Sequence, residues 1–451
     1  MDNEARLDYL EELLKNQDYR KLRESLVEDN EVDVAMFIEE LPEHEALVVF
    51  RLLPKDMGAL VFSHLSSEAQ QELAKAFSDQ DLNDMLERLY VDDAVDFLEE
   101  MPANIVRRIL QLTRPERRLL INRYLQYPED SAGSIMTAEF TDLKREMSVR
   151  QAINRIRLHG EDRETIYTCY VTDQNRRLEG VISVKTLLLA EDDDMIADLM
   201  ESDVINVNTS TDQEEVARIF SRYDFLSLPV TDHEGRLVGI VTIDDAVDVM
   251  EEEATEDFEK MAAITPSEKP YLNMSVWENA RKRIVWLMLL MVSSMITGGI
   301  IESYEASFTQ LPILVAFIPM LMDTGGNAGS QTSTMLIRGM ALNEISIKDI
   351  VIVIWKEIRI ALLVGTALSA VNFIRIYFFY EKNMTLALTV SLTLAATVFM
   401  AKLVGAILPL LAKTLKLDPA IMAAPLITTL VDAGSLVVYF RIAHLMIKNF
   451  A

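Results

Sequence analysis

The sequence predicts a multidomain membrane protein with an all-α helical-repeat N-domain, an α/β pair of repeats, an acidic connecting helix and a five-helix α transmembrane domain. Three observations carry that prediction: a charge asymmetry along the chain, five long apolar stretches towards its end, and two internal repeats ahead of them. The 451 residues have a formal net charge of −28. Residues 284–451 hold nine acidic and eleven basic residues, leaving 62 acidic and 32 basic, a net of −30, in residues 1–283. So acidic a half excludes a nucleic-acid binder, which needs clustered Lys and Arg to neutralise phosphates. The single cysteine, Cys169, excludes an internal disulfide and a cysteine-ligated zinc site. Residues 1–15 are charged throughout and lack the apolar core of a signal peptide, so the acidic half is expected in the cytosol.

The helical domain, residues 1–130, rests on a repeat. VDVAMFIEELP (Val32–Pro42) recurs as DAVDFLEEMP (Asp93–Pro102), which sets Phe37 against Phe97. Apolar residues at i, i+3, i+4 spacing, with prolines at the ends, predict stacked short helices. Residues 131–250 carry the second repeat. TIYTCYVTDQNRRLEGVIS (Thr165–Ser183) matches DFLSLPVTDHEGRLVGIVT (Asp224–Thr242), aligning Val171 with Val230, Asp173 with Asp232 and Gly180 with Gly239. Each copy reads as strand, polar turn, strand and helix, preceded by an amphipathic helix at Val149–Arg157 or Gln213–Tyr223. This arrangement resembles a tandem pair of CBS domains, and such pairs often hold adenine nucleotides between the copies. The resemblance therefore implies an ATP site at the CBS pair. The second copy keeps Gly239, Thr242 and Asp245 in a Gly-x-x-Thr-x-x-Asp pattern, where the carboxylate can accept ribose hydroxyls. The alternative is a turn and helix cap made by Thr242 and Asp245. The first copy departs from the pattern, with Ser183 and then Thr186.

An acidic connecting helix is expected over residues 251–280. Its lead-in, DDAVDVMEEEATEDFEK (Asp244–Lys260), is self-repelling because carboxylates three or four residues apart face one another. A solvated acidic face is the ordinary explanation of such a run; its place between an acidic body and the membrane points to a role in coupling. The transmembrane domain, residues 281–451, starts with eighteen uncharged residues from Ile284 to Ile301, enough to cross a bilayer core with slight help from the flanks. Four more apolar stretches follow, Phe308–Ile337, Ile350–Phe379, Met384–Leu411 and Pro419–Ile447. Arg281–Arg283, Arg338, Lys348, Lys356, Arg359, Lys413 and Lys416 mark the cytoplasmic loops, whereas the loop with Glu302 and Glu305 has no basic residue. Arg375, Lys382, Arg441 and Lys448 weaken that contrast without reversing it. The N-terminus is expected inside and the C-terminus outside the cell membrane.

Polar groups within these spans need a reason, since a carboxylate at bilayer depth costs about 2.5–3.5 kcal/mol. Asp432 lies in PLITTLVDAG (Pro425–Gly434), near the middle of the last helix, with Pro425, Thr428 and Thr429 around it. A carboxylate, hydroxyls and carbonyls freed by the proline form an oxygen lining suited to a hard cation; pairing with Lys402 or Arg375 is the alternative. The second span holds DTGGNAGSQTST (Asp323–Thr334), in which Gly325, Gly326 and Gly329 permit close helix approach. Gly325, Gly326 and Asn327 are candidate pore residues there, against pure packing.

Taken together, the domain order, GGNAGSQ (Gly325–Gln331), and Pro425-Leu426 with Thr429 and Asp432 resemble the MgtE family of magnesium channels over essentially the whole chain. The resemblance implies a homodimer in the lipid bilayer, with a pore between subunits lined by the last and second helices. It implies that Asp432 from each subunit faces the pore and holds hydrated Mg²⁺. It also gives the acidic half a role. Cytosolic Mg²⁺ bridging carboxylates would close the channel, with candidates Asp92, Asp93, Asp96, Asp212, Asp224, Asp245, Asp248, Glu252, Glu253, Glu256 and Asp257. Of these the family pattern supports Asp245, Asp248, Glu256 and Asp257 best. The alternatives are a channel for Co²⁺ or Mn²⁺ and a membrane-anchored Mg²⁺ or nucleotide receptor that does not conduct. An enzyme is the weakest option, because the five histidines are scattered and no nucleophile or P-loop motif is present.

Overall fold

Proline and serine set the helix boundaries of the N-terminal domain. The structure, a computed structural model, describes residues 3–267, 271–272, 274–304, 312–380, 383–422 and 424–446, and divides into two units, Met1–Met250 and Glu251–Ala451. The first begins with α1 (Asn3–Lys15), α2 (Tyr19–Glu28), α3 (Glu31–Glu39), α4 (Glu43–Leu52), α5 (Lys55–Ser63), α6 (Ser67–Ala76), α7 (Asp79–Leu86), α8 (Val91–Glu99), α9 (Ala103–Leu112) and α10 (Pro115–Tyr124). Pro42, Pro54 and Pro102 stand immediately before α4, α5 and α9, and Pro115 opens α10, where a missing N–H breaks no helical bond. The repeated segments become α3 and α8. Phe37 and Phe97 are both fully buried, and Phe97 meets Phe62 edge-on with centroids 5.0 Å apart.

The two α/β copies have the same strand register. In the first, β1 (Asp142–Leu143) pairs parallel to β2 (Thr168–Thr172), which pairs antiparallel to β3 (Leu178–Ser183). α11 (Val149–His159) lies between β1 and β2, and α12 (Val184–Leu189) and α13 (Ile196–Leu199) follow. The second repeats this as β4 (Val207–Asn208), α14 (Gln213–Tyr223), β5 (Ser227–Thr231) and β6 (Leu237–Thr242). Val171 opposes Gly180 in one copy and Val230 opposes Gly239 in the other. The glycines face crossing backbone: Thr137 bridges to Ile240 beside Gly239, and Glu201 bridges to Val181 beside Gly180. The helical domain's core continues into the second copy through Met136, Phe220, Val230 and Val241, whereas the first copy packs around Val149, Val171 and Ile182.

The connecting helix is not a separate element starting at residue 251. It is the last helix of the second copy prolonged, α15 (Ile243–Met261), because no glycine or proline interrupts residues 243–261.

After the end of α15, the described residues of the second unit form five long helices: α16 (Val276–Ser303), α17 (Ile318–Ala341), α18 (Ile350–Phe379), α19 (Met384–Thr414) and α20 (Ala424–Met446). Among the described residues α16, α19 and the segment Pro419–Met446 are long and apolar enough on composition alone to cross a membrane. α17 carries the polar Asp323–Thr334 run, and α18 carries Lys356, Glu357, Arg359 and Arg375. Several ends differ from expectation. Ser275 caps α16 by accepting from the Glu278 N–H, so Arg281–Arg283 lie inside the helix. α17 begins at Ile318, after a short turn at Pro312–Phe317, and α20 begins after a turn at Pro419–Met422. Glu305, Lys382 and Lys448 of the orientation argument lie outside the described residues.

α17 and α19 touch backbone to backbone. A Cβ placed on Gly405 would strike the carbonyl of Gly329, while one on Gly298 of α16 would meet nothing within 4 Å. Gly405→Leu is therefore expected to destabilise the protein by roughly 1–3 kcal/mol, read as a lower melting temperature in detergent. Gly298→Ala should leave it unchanged.

Candidate functional site

Asp432 sits at the ninth position of α20, in its first half, one turn beyond Thr428 and Thr429. Pro425 is the second residue of that helix, where proline costs no hydrogen bond. It therefore frees no carbonyl in mid-helix, contrary to expectation. Its own carbonyl accepts from the Thr429 hydroxyl at 2.9 Å. The basic residues named as alternative partners are engaged elsewhere: Lys402 lies 3.9 Å from Glu357, and Arg375 donates to Asn372 Oδ1 at 3.1 Å. The Oδ1 of Asp432 is buried without a hydrogen-bond partner among the described residues.

α17 faces this segment. Gly326 lies against Thr428, where a Cβ would come within 2.9 Å of its methyl, and Gly325 lies against Thr397, Val431 and Ser435. Both glycines are buried in the contact, so they pack α17 on α20. Asn327 is exposed on the neighbouring face and donates from Nδ2 to Asp323 Oδ1 at 3.2 Å. Asp323 is near enough to repel the Asp432 carboxylate. It was legible as the first residue of the glycine-rich run, one turn before Asn327, yet was not singled out.

A second acidic locus forms in the first unit. Asp92 and Asp93 of α8, Asp245 at the start of α15, and Glu139 and Glu164 from loops of the first α/β copy lie within electrostatic reach of one another. The two glutamates were not singled out from the sequence, because only the fold carries those loops to α8. Glu139 is neutralised by Arg117 at 3.0 Å. Asp92 Oδ1 and Glu164 Oε2 are buried without hydrogen-bond partners among the described residues. Burial and then the charge of Asp93 hold Asp92 well above the usual carboxylate range. Burial, with Asp245, pushes Asp93 to about 7 and Glu164 to about 8. Burial raises Asp245 to about 6 against the opposing hydrogen bonds of Thr242. Among the described residues no three His, Cys, Asp or Glu side chains stand close enough to enclose an ion directly. The donor set suits an ion that keeps its water, which the orphaned oxygens can hold through hydrogen bonds.

The other carboxylates disperse. Asp96 is exposed on α8, while Asp212 caps the start of α14 and accepts from the Glu214 N–H at 3.0 Å. Asp224 ends the same helix with φ 54°, so this pair stands at opposite ends. Asp245 Oδ2 accepts from the Thr242 N–H at 3.2 Å and from its hydroxyl at 2.5 Å, the cap arrangement. Asp248, Glu252, Glu253, Glu256 and Asp257 continue along α15. Glu256 pairs with Lys260 at 2.6 Å, and Lys260 reaches Asp418 at 2.7 Å. Asp418 in turn accepts from the Ala420 N–H at 2.8 Å in the turn before α20.

A bundle of long apolar helices that keeps a half-buried acid without a counter-charge among the described residues, joined by an acidic helix to a tandem CBS pair, belongs to a cation transporter. The comparisons make this specific. The family described as divalent cation transporter MgtE matches residues 318–442, its intracellular N domain matches 29–130, and CBS domains match 132–193 and 196–252. The magnesium transporter MgtE of Thermus thermophilus is 38% identical over 443 residues, covering 97% of this chain and 98% of that one. That of Bacillus subtilis is 34% identical over 442 residues, covering 97% and 96%. A crystal structure of the cytosolic domain of the Mg²⁺ channel MgtE in complex with ATP is 41% identical, with a TM-score of 0.52, and covers 54% of this chain and 99% of that one. The chain belongs to the MgtE family, a family of transporters and not of enzymes.

The raised carboxylates set a pH dependence. Each binds its proton more readily folded than unfolded, so the folded unit is most favoured below the ordinary carboxylate pKa of about 4. That advantage is lost as pH rises through about 6 to about 8. In full-length protein with chelator, trypsin resistance of the first unit is expected to fall from pH 5.5 to 8.5. Asp92→Asn with Asp93→Asn should flatten the profile; a steep profile in that variant would place the titration elsewhere.

Proposed function

We propose that the chain is a Mg²⁺-selective channel for magnesium uptake, working as a homodimer with its pore at the two-fold axis. The observation that carries this is Asp432, an acid within a membrane helix whose two natural counter-ions, Lys402 and Arg375, are both committed elsewhere. A charge left uncompensated at that depth is retained for a mobile cation. Mg²⁺ prefers octahedral oxygen coordination and dehydrates reluctantly, so a carboxylate from each subunit would accept hydrogen bonds from its waters. A monovalent ion gains half the Coulomb energy in the same field. Thr428, Thr429 and Asn327 supply further polar atoms near the path. The names of the relatives, magnesium transporters over nearly the whole chain, support the choice of ion. The loop charges support a cytoplasmic N-terminus and an extracellular C-terminus.

The acidic half acts as a negative-feedback sensor. At low Mg²⁺ the buried carboxylates around Asp92, Asp93 and Asp245 oppose compact packing, and bound Mg²⁺ favours it by mass action. Asp96, Asp212, Asp224 and the acids of α15 from Asp248 to Asp257 add weaker, more exposed sites. ATP at the CBS pair modulates this; the ATP complex of the similar cytosolic domain supports it, with Thr242 and Asp245 as the contacting residues once their mutual cap opens. Lys260 and Asp418 give α15 a grip on the turn that leads into α20.

Purified protein in liposomes tests the reading. Wild type is expected to carry Mg²⁺ down its gradient, and Asp432→Asn to lose at least about tenfold of that flux. Preferred passage of Co²⁺ or Mn²⁺ would reassign the ion, and absence of any flux would leave a receptor. Trypsin resistance of the first unit should rise with millimolar Mg²⁺ at pH 8; a flat response removes the sensor.

A further inference from the structure

A charge pair inside the membrane unit has no part in the ion path described above. Lys402, in the middle of α19, and Glu357, in the third turn of α18, have side chains 8% and 14% exposed, with Nζ and Oε2 3.9 Å apart. Thr332 of α17 joins them. Its hydroxyl accepts from Lys402 Nζ at 3.1 Å and donates to Glu357 Oε2 at 3.0 Å. A hydroxyl has one proton and two lone pairs; its proton has the nearer acceptor in Glu357, with the Ala328 carbonyl of its own helix at 3.3 Å, so this single group ties three helices at one point.

Stability alone is a poor reason for such a pair. Replacing a buried ion pair by apolar groups of similar shape is often neutral or stabilising, and its best-attested use is to fix register. Register is what a glycine seam alone does not give α17, and besides this pair Ser333 of α17 donates to the Met422 carbonyl at 3.2 Å. The helix meets α19 and α20 through Gly325, Gly326, Gly329 and Gly405, which let the backbones approach closely. A seam of small residues sets distance well and axial position poorly. A slip of one residue moves a helix by about 1.5 Å and turns its face by about 100°, which would carry Asp323 away from Asp432.

We propose that Glu357 and Lys402, acting through Thr332, are positioning residues for ion passage: they hold α17 in the register that sets Asp323 near Asp432 and Gly326 against Thr428. This rests on Asp432 being the ion site, and wild-type protein that carries no Mg²⁺ would defeat that reading before the pair is in question.

The test uses full-length protein in liposomes, measuring Mg²⁺ flux against Mg²⁺ concentration, Mg²⁺ preference over Co²⁺, and melting temperature. Thr332→Ser keeps the hydroxyl and is expected to stay within about threefold of wild type, whereas Thr332→Val, with the same shape and both charges intact, should lose about tenfold in flux or half-saturation without a matching loss of melting temperature. Glu357→Gln with Lys402→Met leaves no lone buried charge, so it should fold, lose flux to a similar extent and discriminate less between the two ions. The exchanged pair, Glu357→Lys with Lys402→Glu, should recover much of the activity. Wild-type flux, half-saturation and ion preference in Thr332→Val or in the neutral pair would overturn the proposal. A folded but inactive exchanged pair would also overturn it, since a charge of fixed sign would then act directly.

Discussion

The second unit is organised by the difficulty of holding charge away from water. Each ionised side chain at bilayer depth carries a penalty of about 2.5–3.5 kcal/mol unless something compensates it. The bundle compensates them one by one. Lys402 is matched by Glu357 and Thr332, Arg375 by Asn372, and Asn327 by Asp323. Asp432 alone among these keeps a buried oxygen with no partner among the described residues. The exception has meaning because the neighbouring groups are settled. Had Lys402 turned towards α20, the same carboxylate would be an ordinary structural ion pair.

The acidic first unit uses the same physics in the opposite sense. Most of its paired carboxylates meet an arginine or lysine, as Asp29 does Arg6 and Glu139 does Arg117, but Asp92, Asp93, Asp245 and Glu164 are gathered in a buried to half-buried group where desolvation and one another's charge raise their proton affinity. Such a cluster is an unfavourable term that any bound cation relieves. Ligand at a hundred times its dissociation constant stabilises the bound form by about 2.7 kcal/mol. That is enough to turn a tenfold preference for the loose arrangement into a tenfold preference for the compact one.

What the sequence made legible follows the range of the forces involved. The paired α/β copies were readable because strand alternation and the polar turns after Asp173 and Asp232 are local, and the alignment of Gly180 with Gly239 is matched by the same observed register in both copies. The helical repeat was readable from Phe37 and Phe97 for the same reason. The two-residue strands β1 and β4 were invisible, since so short a segment has no period. α15 should have been read as continuous, because nothing in residues 243–261 breaks a helix. Glu139 and Glu164 could not have been chosen from the sequence: they are ordinary loop acids until topology brings them to α8. The partner of Lys402 was equally out of reach, as it depends on which faces of three helices meet.

α17 is where these separate arrangements converge. Its glycines take the close contact with α19 and α20, its Thr332 carries the charge pair, and its Ser333 donates to the carbonyl of Met422 at 3.2 Å. Met422 ends the same short turn whose start is fixed by Asp418, and Asp418 is the group that Lys260 of α15 holds. A displacement of α15 therefore acts on the turn leading into the Asp432 helix and on its neighbour α17 together. Contiguity of this kind becomes coupling only through an element with two arrangements. The turn is the part suited to that role. The glycine seam and the buried pair hold α17 on one side, while the Lys260–Asp418 pair is partly exposed and weakened by salt on the other. The rigid side preserves the geometry around Asp432, and the yielding side is the turn that Lys260 holds through Asp418.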